Sequence, residues 1–148
     1  MKRAASKLLL LDVNVLLALA WPNHQFHDVA TTRLTESNSR WATCALTQLD
    51  FIRLSANPAV VGSAVTAAEA AALLAEMTAD RRHEFLDRLP APASKGWATA
   101  LDRVLGYRQT TDAYLLRLAE MAGAALVTFD ARLPALAGEA AAVEVLGV

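Results

Sequence analysis

Two apolar stretches of the chain each run straight into an aspartate. Leu8-Leu9-Leu10-Leu11 is unbroken and meets Asp12; Ala124–Phe129 is interrupted only by Thr128 and meets Asp130. Such runs read as strands buried on both faces, the pattern of a parallel sheet. Three shorter stretches also read as strands. They are Arg40–Cys44, where Trp41, Thr43 and Cys44 suit a pleated surface, His83–Leu86, and Ala142–Leu146. Between them apolar positions recur at helical spacing. The pattern predicts helices over Val15–Ala20 behind an Asn14 cap, from Asn23 to about Ser37, and over Ala45–Ser55 with Leu46, Leu49, Phe51 and Ile52 inward. Pro58–Ser63 reads as a loop. Thr66-Ala67-Ala68-Glu69 is a capping box opening a helix to about Ala79, and Ser94 caps a short helix holding Trp97 and Leu101. Thr111 caps Asp112–Ala122, closed by Gly123, and Leu133–Leu136 is a last short helix.

Strands alternating with helices imply βαβ units, right-handed crossovers and an α/β fold on a mainly parallel sheet of about five short strands. At 148 residues the chain reads as one domain, 1–148, long enough to bury a core without metal staples. The 55% apolar content fits that. A formal charge of -1 argues against a wholly basic nucleic-acid binder and leaves room for a local basic patch. Cys44 is the only cysteine, which rules out an intrachain disulfide and a cysteine-rich zinc site and fits a reducing cytoplasm. Lys2, Arg3 and Lys7 ahead of an apolar run imitate a signal peptide, but Asp12 and Asn14 interrupt the would-be hydrophobic segment.

In a parallel sheet the strand C-termini and the following helix N-termini share one edge, where α/β proteins bind ligands. Asp12, Asp130 and Asp112, the last in the first turn of a helix, fall on that edge. Each alone has a plain structural explanation. Asp12 is either a functional acid or a cap, Asp130 suits an N-cap, and Asp112 suits the helix dipole. As a set they repel one another unless a cation neutralises them, and such oxygen ligands suit Mg²⁺ or Mn²⁺.

The motifs resemble those of a known family. Leu10-Leu11-Asp12-Val13-Asn14-Val15-Leu16-Leu17-Ala18 is similar to the opening motif of PIN-domain proteins, and more narrowly of VapC-type ribonuclease toxins. Trp41-Ala42-Thr43-Cys44 with Leu46–Leu54, Thr110–Leu115, and Leu126-Val127-Thr128-Phe129-Asp130 resemble the later motifs, in order and across nearly the whole chain. The resemblance implies a three-layer α/β/α sandwich and a Mg²⁺-dependent endoribonuclease, with Mn²⁺ as the other candidate ion. It makes Asp12 and Asp112 metal ligands and Asp130 a further ligand, direct or through water. Asn14 then orients Asp12 or the substrate, and Thr128 supplies a supporting hydroxyl. It also implies RNA as substrate, a homodimer, and a cognate VapB-type antitoxin that covers the groove.

One position departs from the pattern. Many PIN nucleases carry a glutamate on the helix after the second strand, and the matching residue here is Gln48, an amide that can orient a water but adds no charge. Asp50 lies about 200° further round that helix and reads as a solvent-side residue. The alternative to a toxin nuclease is therefore a catalytically weakened PIN-like module that binds RNA or protein. A haloacid-dehalogenase-like phosphatase is disfavoured, since it would need an aspartate where Asn14 stands. For RNA contacts the candidate cations are Arg108, just ahead of Asp112, and Arg53.

Overall fold

The computed structural model describes residues 7–36, 38–94, 97, 101–102, 104, 106–138 and 142–147. Five strands form one sheet: β1 (Leu8–Leu11), β2 (Trp41–Cys44), β3 (His83–Leu86), β4 (Ala124–Thr128) and β5 (Ala142–Val145). Their order is β3-β2-β1-β4-β5 and every pairing is parallel, so all five C-termini face one edge. β1 lies in the middle, with Leu11 level with Val127 of β4.

The period-two alternation of a strand sorts the apolar run of β1 onto two faces. Leu9 and Leu11 enter one core with Val15, Leu16, Phe51, Leu74 and Val127; Leu10 enters the other with Ala42, Leu115, Leu118, Leu126 and Leu133. The first face is covered by α1 (Val13–Ala20), α2 (His27–Glu36), α3 (Ala45–Ser55) and α5 (Ala67–Thr78), and the second by α6 (Thr110–Met121) and α7 (Leu133–Leu136). This is the expected three-layer α/β/α arrangement. Each buried leucine of β1 contributes roughly 2 kcal/mol by transfer from water, which is why Leu9, Leu10 and Leu11 in a row specify the central strand. Among the described residues no helix is long and apolar enough to cross a membrane.

Some expected boundaries move, for local reasons. Helix α1 begins at Val13, because Asp12 itself is the N-cap and accepts a hydrogen bond from the Val13 amide. Asn23 caps nothing; it donates to the Val61 carbonyl, and α2 starts only at His27. Pro58–Val61 is a one-turn helix, α4, not a loop. Asn57 caps it and Gly62, at φ 77°, ends it in the left-handed region that L side chains avoid. Thr111 lies inside α6, whose N-terminus is fed by a 3₁₀ turn at Tyr107–Gln109 and needs no side-chain cap. Thr66 caps α5 as expected. Most of the short helix expected after Ser94 lies outside the described residues, though Trp97 packs on Tyr114 at 4.4 Å between ring centres.

The largest change is the facing of α3. Thr47, Phe51 and Ser55 are its buried stripe, and Leu49 is 64% exposed. Two of those three inward residues are polar and hydrogen-bonded: Thr47 locally with the Cys44 backbone and Ser55 with the distant Trp21 indole. Leu46, Phe51 and Ile52 pack against the cores as expected, and Leu49 is the one expected inward residue that faces out.

Candidate active site

The strand-to-acid junctions of β1 and β4 sit side by side at the C-terminal edge of the sheet, and Thr128 joins them. Its hydroxyl donates to Asp12 Oδ2 at 2.8 Å and accepts from Asn14 Nδ2 at 3.3 Å and from the Asp130 amide at 3.1 Å. A hydroxyl has one hydrogen to donate and two lone pairs, so the hydrogen-bonding capacity of this buried group is filled. Asn14 closes the loop by accepting from the Phe129 amide at 3.4 Å. Asp12 is therefore both a cap and a site acid. Oδ1 takes the Val13 amide at 2.8 Å, Oδ2 takes Thr128, and the residue is only 6% exposed.

The electrostatics identify which acids share this edge. Burial pushes the Asp12 carboxyl up. The Thr128 and Val13 hydrogen bonds oppose that, and the charges of Asp130 and Asp50 add to it. Asp112, in the first turn of α6, is raised to about 6 by burial first and then by Asp12 and Asp130, with Arg132 pulling the other way. Asp130 moves down because Arg132 grips it: Nε to Oδ1 at 2.9 Å and Nη2 to Oδ2 at 2.8 Å.

Asp12 and Asp112 are thus buried and half-buried acids that resist ionisation, Asp112 in part through the charge of Asp12, while Asp130 is already neutralised by a side chain. Among the described residues no three histidine, cysteine, aspartate or glutamate side chains gather into a ready-made metal shell. The donor set nonetheless fits a small hard cation. Mg²⁺ keeps most of its waters and is commonly held by one or two carboxylates, and a cation would relieve the repulsion that raises Asp12 and Asp112.

The other sequence candidates fall into place around this pair. Asn14 braces Asp12 through Thr128. Gln48 donates to Thr43 Oγ1 at 3.0 Å, and that hydroxyl meets His83 Nε2 at 2.8 Å, a chain directed along β2 and β3. Asp50 of α3, partly exposed, adds its charge to Asp12 as the last of the contributions there. Arg53 pairs with that same Asp50 at 3.3 Å. Arg108 belongs to the 3₁₀ turn ahead of α6, and its side chain lies outside what the structure describes. Arg132 was missed. The sequence offers only its position, two residues beyond an acid at the end of a buried strand.

These placements set an expected result. Gln48→Ala leaves divalent-ion affinity within about twofold of the starting protein, whereas Asp50→Asn weakens it about tenfold, the lower range for a group acting behind the ligands. Titration of each variant with Mn²⁺ by calorimetry checks it. A larger loss in Gln48→Ala than in Asp50→Asn would return the role to the amide.

A family model described as PIN domain matches residues 9–139. The chain is 44% identical over 138 residues to Ribonuclease VapC39 of Mycobacterium tuberculosis, covering 93% of this chain and 98% of that protein. With Ribonuclease VapC38 of the same organism it shares 43% identity over 123 residues, covering 82% and 84%. Among solved structures it resembles VapBC2 from Rickettsia felis bound to a DNA fragment from their promoter, with a TM-score of 0.65 at 15% identity over 95% of this chain and 99% of that one. It also resembles VapC20 of Mycobacterium tuberculosis, a Sarcin-Ricin loop cleaving toxin, with a TM-score of 0.60 at 16% identity over 86% and 93%. At such identities the two structures speak for the fold, and the sequence relatives speak for the family.

Proposed function

The chain belongs to the PIN-domain family, in the company of the VapC ribonucleases, and from that premise we propose that it is a divalent-metal-dependent endoribonuclease, the toxin of a toxin–antitoxin pair. The observation that carries the chemical part is the pairing of Asp12 with Asp112. Two carboxylates share one edge, each made reluctant to ionise by burial and by neighbouring acids. Asp12 and Asp112 would hold Mg²⁺ or Mn²⁺. When bound, such an ion supplies neutralisation of the scissile phosphate and activation of water as the nucleophile.

The protein's own groups do the positioning. Thr128 fixes the rotamer of Asp12, and Asn14 holds Thr128 and the Phe129 backbone together. Asp130, kept anionic below the usual carboxylate range, is the acid able to orient water on the far side of the pair. No serine or cysteine nucleophile is invoked; the one cysteine, Cys44, is buried under the sheet edge.

Single-domain organisation over 1–148, a cytoplasmic setting and a homodimer belong to the same reading. So does a VapB-type antitoxin as partner, supported by a structural relative that is itself a VapBC assembly. The test is cleavage of a labelled structured RNA by the purified protein. Cleavage is expected with Mg²⁺ or Mn²⁺ and is expected to stop in excess EDTA and resume when the ion is restored. Cleavage that continues in EDTA overturns the metal dependence, and none with any divalent ion overturns the reading in favour of a PIN-like binding module.

A further inference from the structure

Resting on the ribonuclease reading, we propose that Arg132 is an RNA-phosphate-binding residue of this site, stored on Asp130 in the free protein and transferred to the substrate. An edge lined by Asp12, Asp112 and Asp130 repels a polyanion, so RNA needs fixed positive charge beside it. Among the described residues, Arg132 is the cation whose charge acts on two of those acids. It bonds both oxygens of Asp130 and lowers Asp112 from its raised position. Arg53, singled out in the sequence, makes a single 3.3 Å contact with Asp50.

The geometry suits an exchange. The Arg132 side chain is 82% exposed and anchored only at its guanidinium end, by Nε and Nη2 in a two-pronged grip. That fork is the geometry with which arginine takes two oxygens of a phosphate. Exposed ion pairs are weak, so replacing a carboxylate by a phosphodiester at the same fork meets little resistance. The backbone amide of Arg132 stays on Asp130 Oδ1 at 2.9 Å, so the loop keeps its shape when the side chain leaves. The departure also frees Asp130 beside Asp12 and Asp112, which couples substrate arrival to completion of the acidic set.

The bland role for Arg132 is that of a counter-ion for Asp130, and a double-mutant cycle separates the two. Binding of a fluorescein-labelled RNA hairpin is measured by anisotropy in EDTA across a salt series. The proteins compared are the wild type, Arg132→Ala, Arg132→Lys, Asp130→Asn and the Asp130→Asn/Arg132→Ala double variant. Loss of Arg132 is expected to weaken binding about tenfold and to reduce the slope of log K against log salt by about 0.7–0.9, the value of one phosphate contact. Both losses are expected to persist in the Asp130→Asn background, and Lys is expected to restore the slope but not the full affinity. In Mg²⁺ the same loss is expected to appear mainly in KM. If the effect of removing Arg132 vanishes once Asp130 is neutral, or is absent in both backgrounds, Arg132 is only a counter-ion. Wild-type cleavage read in parallel tells this failure apart from failure of the ribonuclease reading.

Discussion

Asp12→Asn is expected to abolish RNA cleavage, lowering kcat by a factor on the order of 10³ or more, while the protein keeps its fold. The factor corresponds to the several kcal/mol that neutralisation of the phosphate supplies, lost when the ion's buried anionic ligand is removed. The fold survives for reasons visible in the site. Asn retains an oxygen for the Val13 amide, so the cap of α1 remains, and asparagine is as good an N-cap as aspartate. Against Thr128 the exchange is unfavourable, because an amide NH₂ now faces a hydroxyl that already accepts from Asn14 and from Asp130. The cost of that mismatch is about 1–3 kcal/mol. Removing a buried charge that resists ionisation offsets part of it. Single-turnover cleavage and a thermal melt on the same preparation make the check. Cleavage within tenfold of wild type at an unchanged melting temperature would move the metal site away from β1.

What the amino-acid pattern revealed and what it hid follow from which interactions are local. Leu8–Leu11 and Ala124–Thr128 are legible because a strand buried on both faces has no alternative reading, and an acid at its end is conspicuous. The parallel order of the sheet, and with it the shared edge of Asp12, Asp112 and Asp130, then follows from the alternation of elements. In α3 Leu49 was misplaced because part of the inward face is built from Thr47 and Ser55, whose polarity is satisfied by neighbours that periodicity cannot see. Pro58–Val61 was hidden for the opposite reason: proline at the first position looks like a breaker but is pre-organised for a helix start. Arg132 is hidden in the sequence because nothing local sets it apart from other arginines; it sits beyond Asp130 in the turn ahead of α7 and grips it only once folded.

Asp112→Asn is expected to abolish cleavage as fully as Asp12→Asn and, in metal-free protein at pH 7.5, to raise the melting temperature. The opposite signs have one cause. The Asp112 carboxyl stands at about 6 in the folded protein against 3.8 as the ordinary value, so the folded state holds its proton more tightly than the unfolded one. A group shifted upward contributes its stability in full below about 3.8, and that contribution is gone once the pH has risen through about 6. At pH 7.5 wild type therefore folds around an ionised acid facing Asp12 and Asp130, and the asparagine variant does not. Discounted for solvent screening of a half-buried group, the difference is on the order of 1 kcal/mol, or about 2–4 °C for a chain of this size. The gap is expected to narrow at pH 5 as wild type takes up the proton. Addition of Mn²⁺ at pH 7.5 is expected to close it from the other side, stabilising wild type through the carboxylates and leaving the variant nearly unmoved. Melting curves at the two pH values, with and without the ion, decide it. A variant less stable than wild type at pH 7.5, or one stabilised by Mn²⁺ as much as wild type, would remove Asp112 from the metal pair.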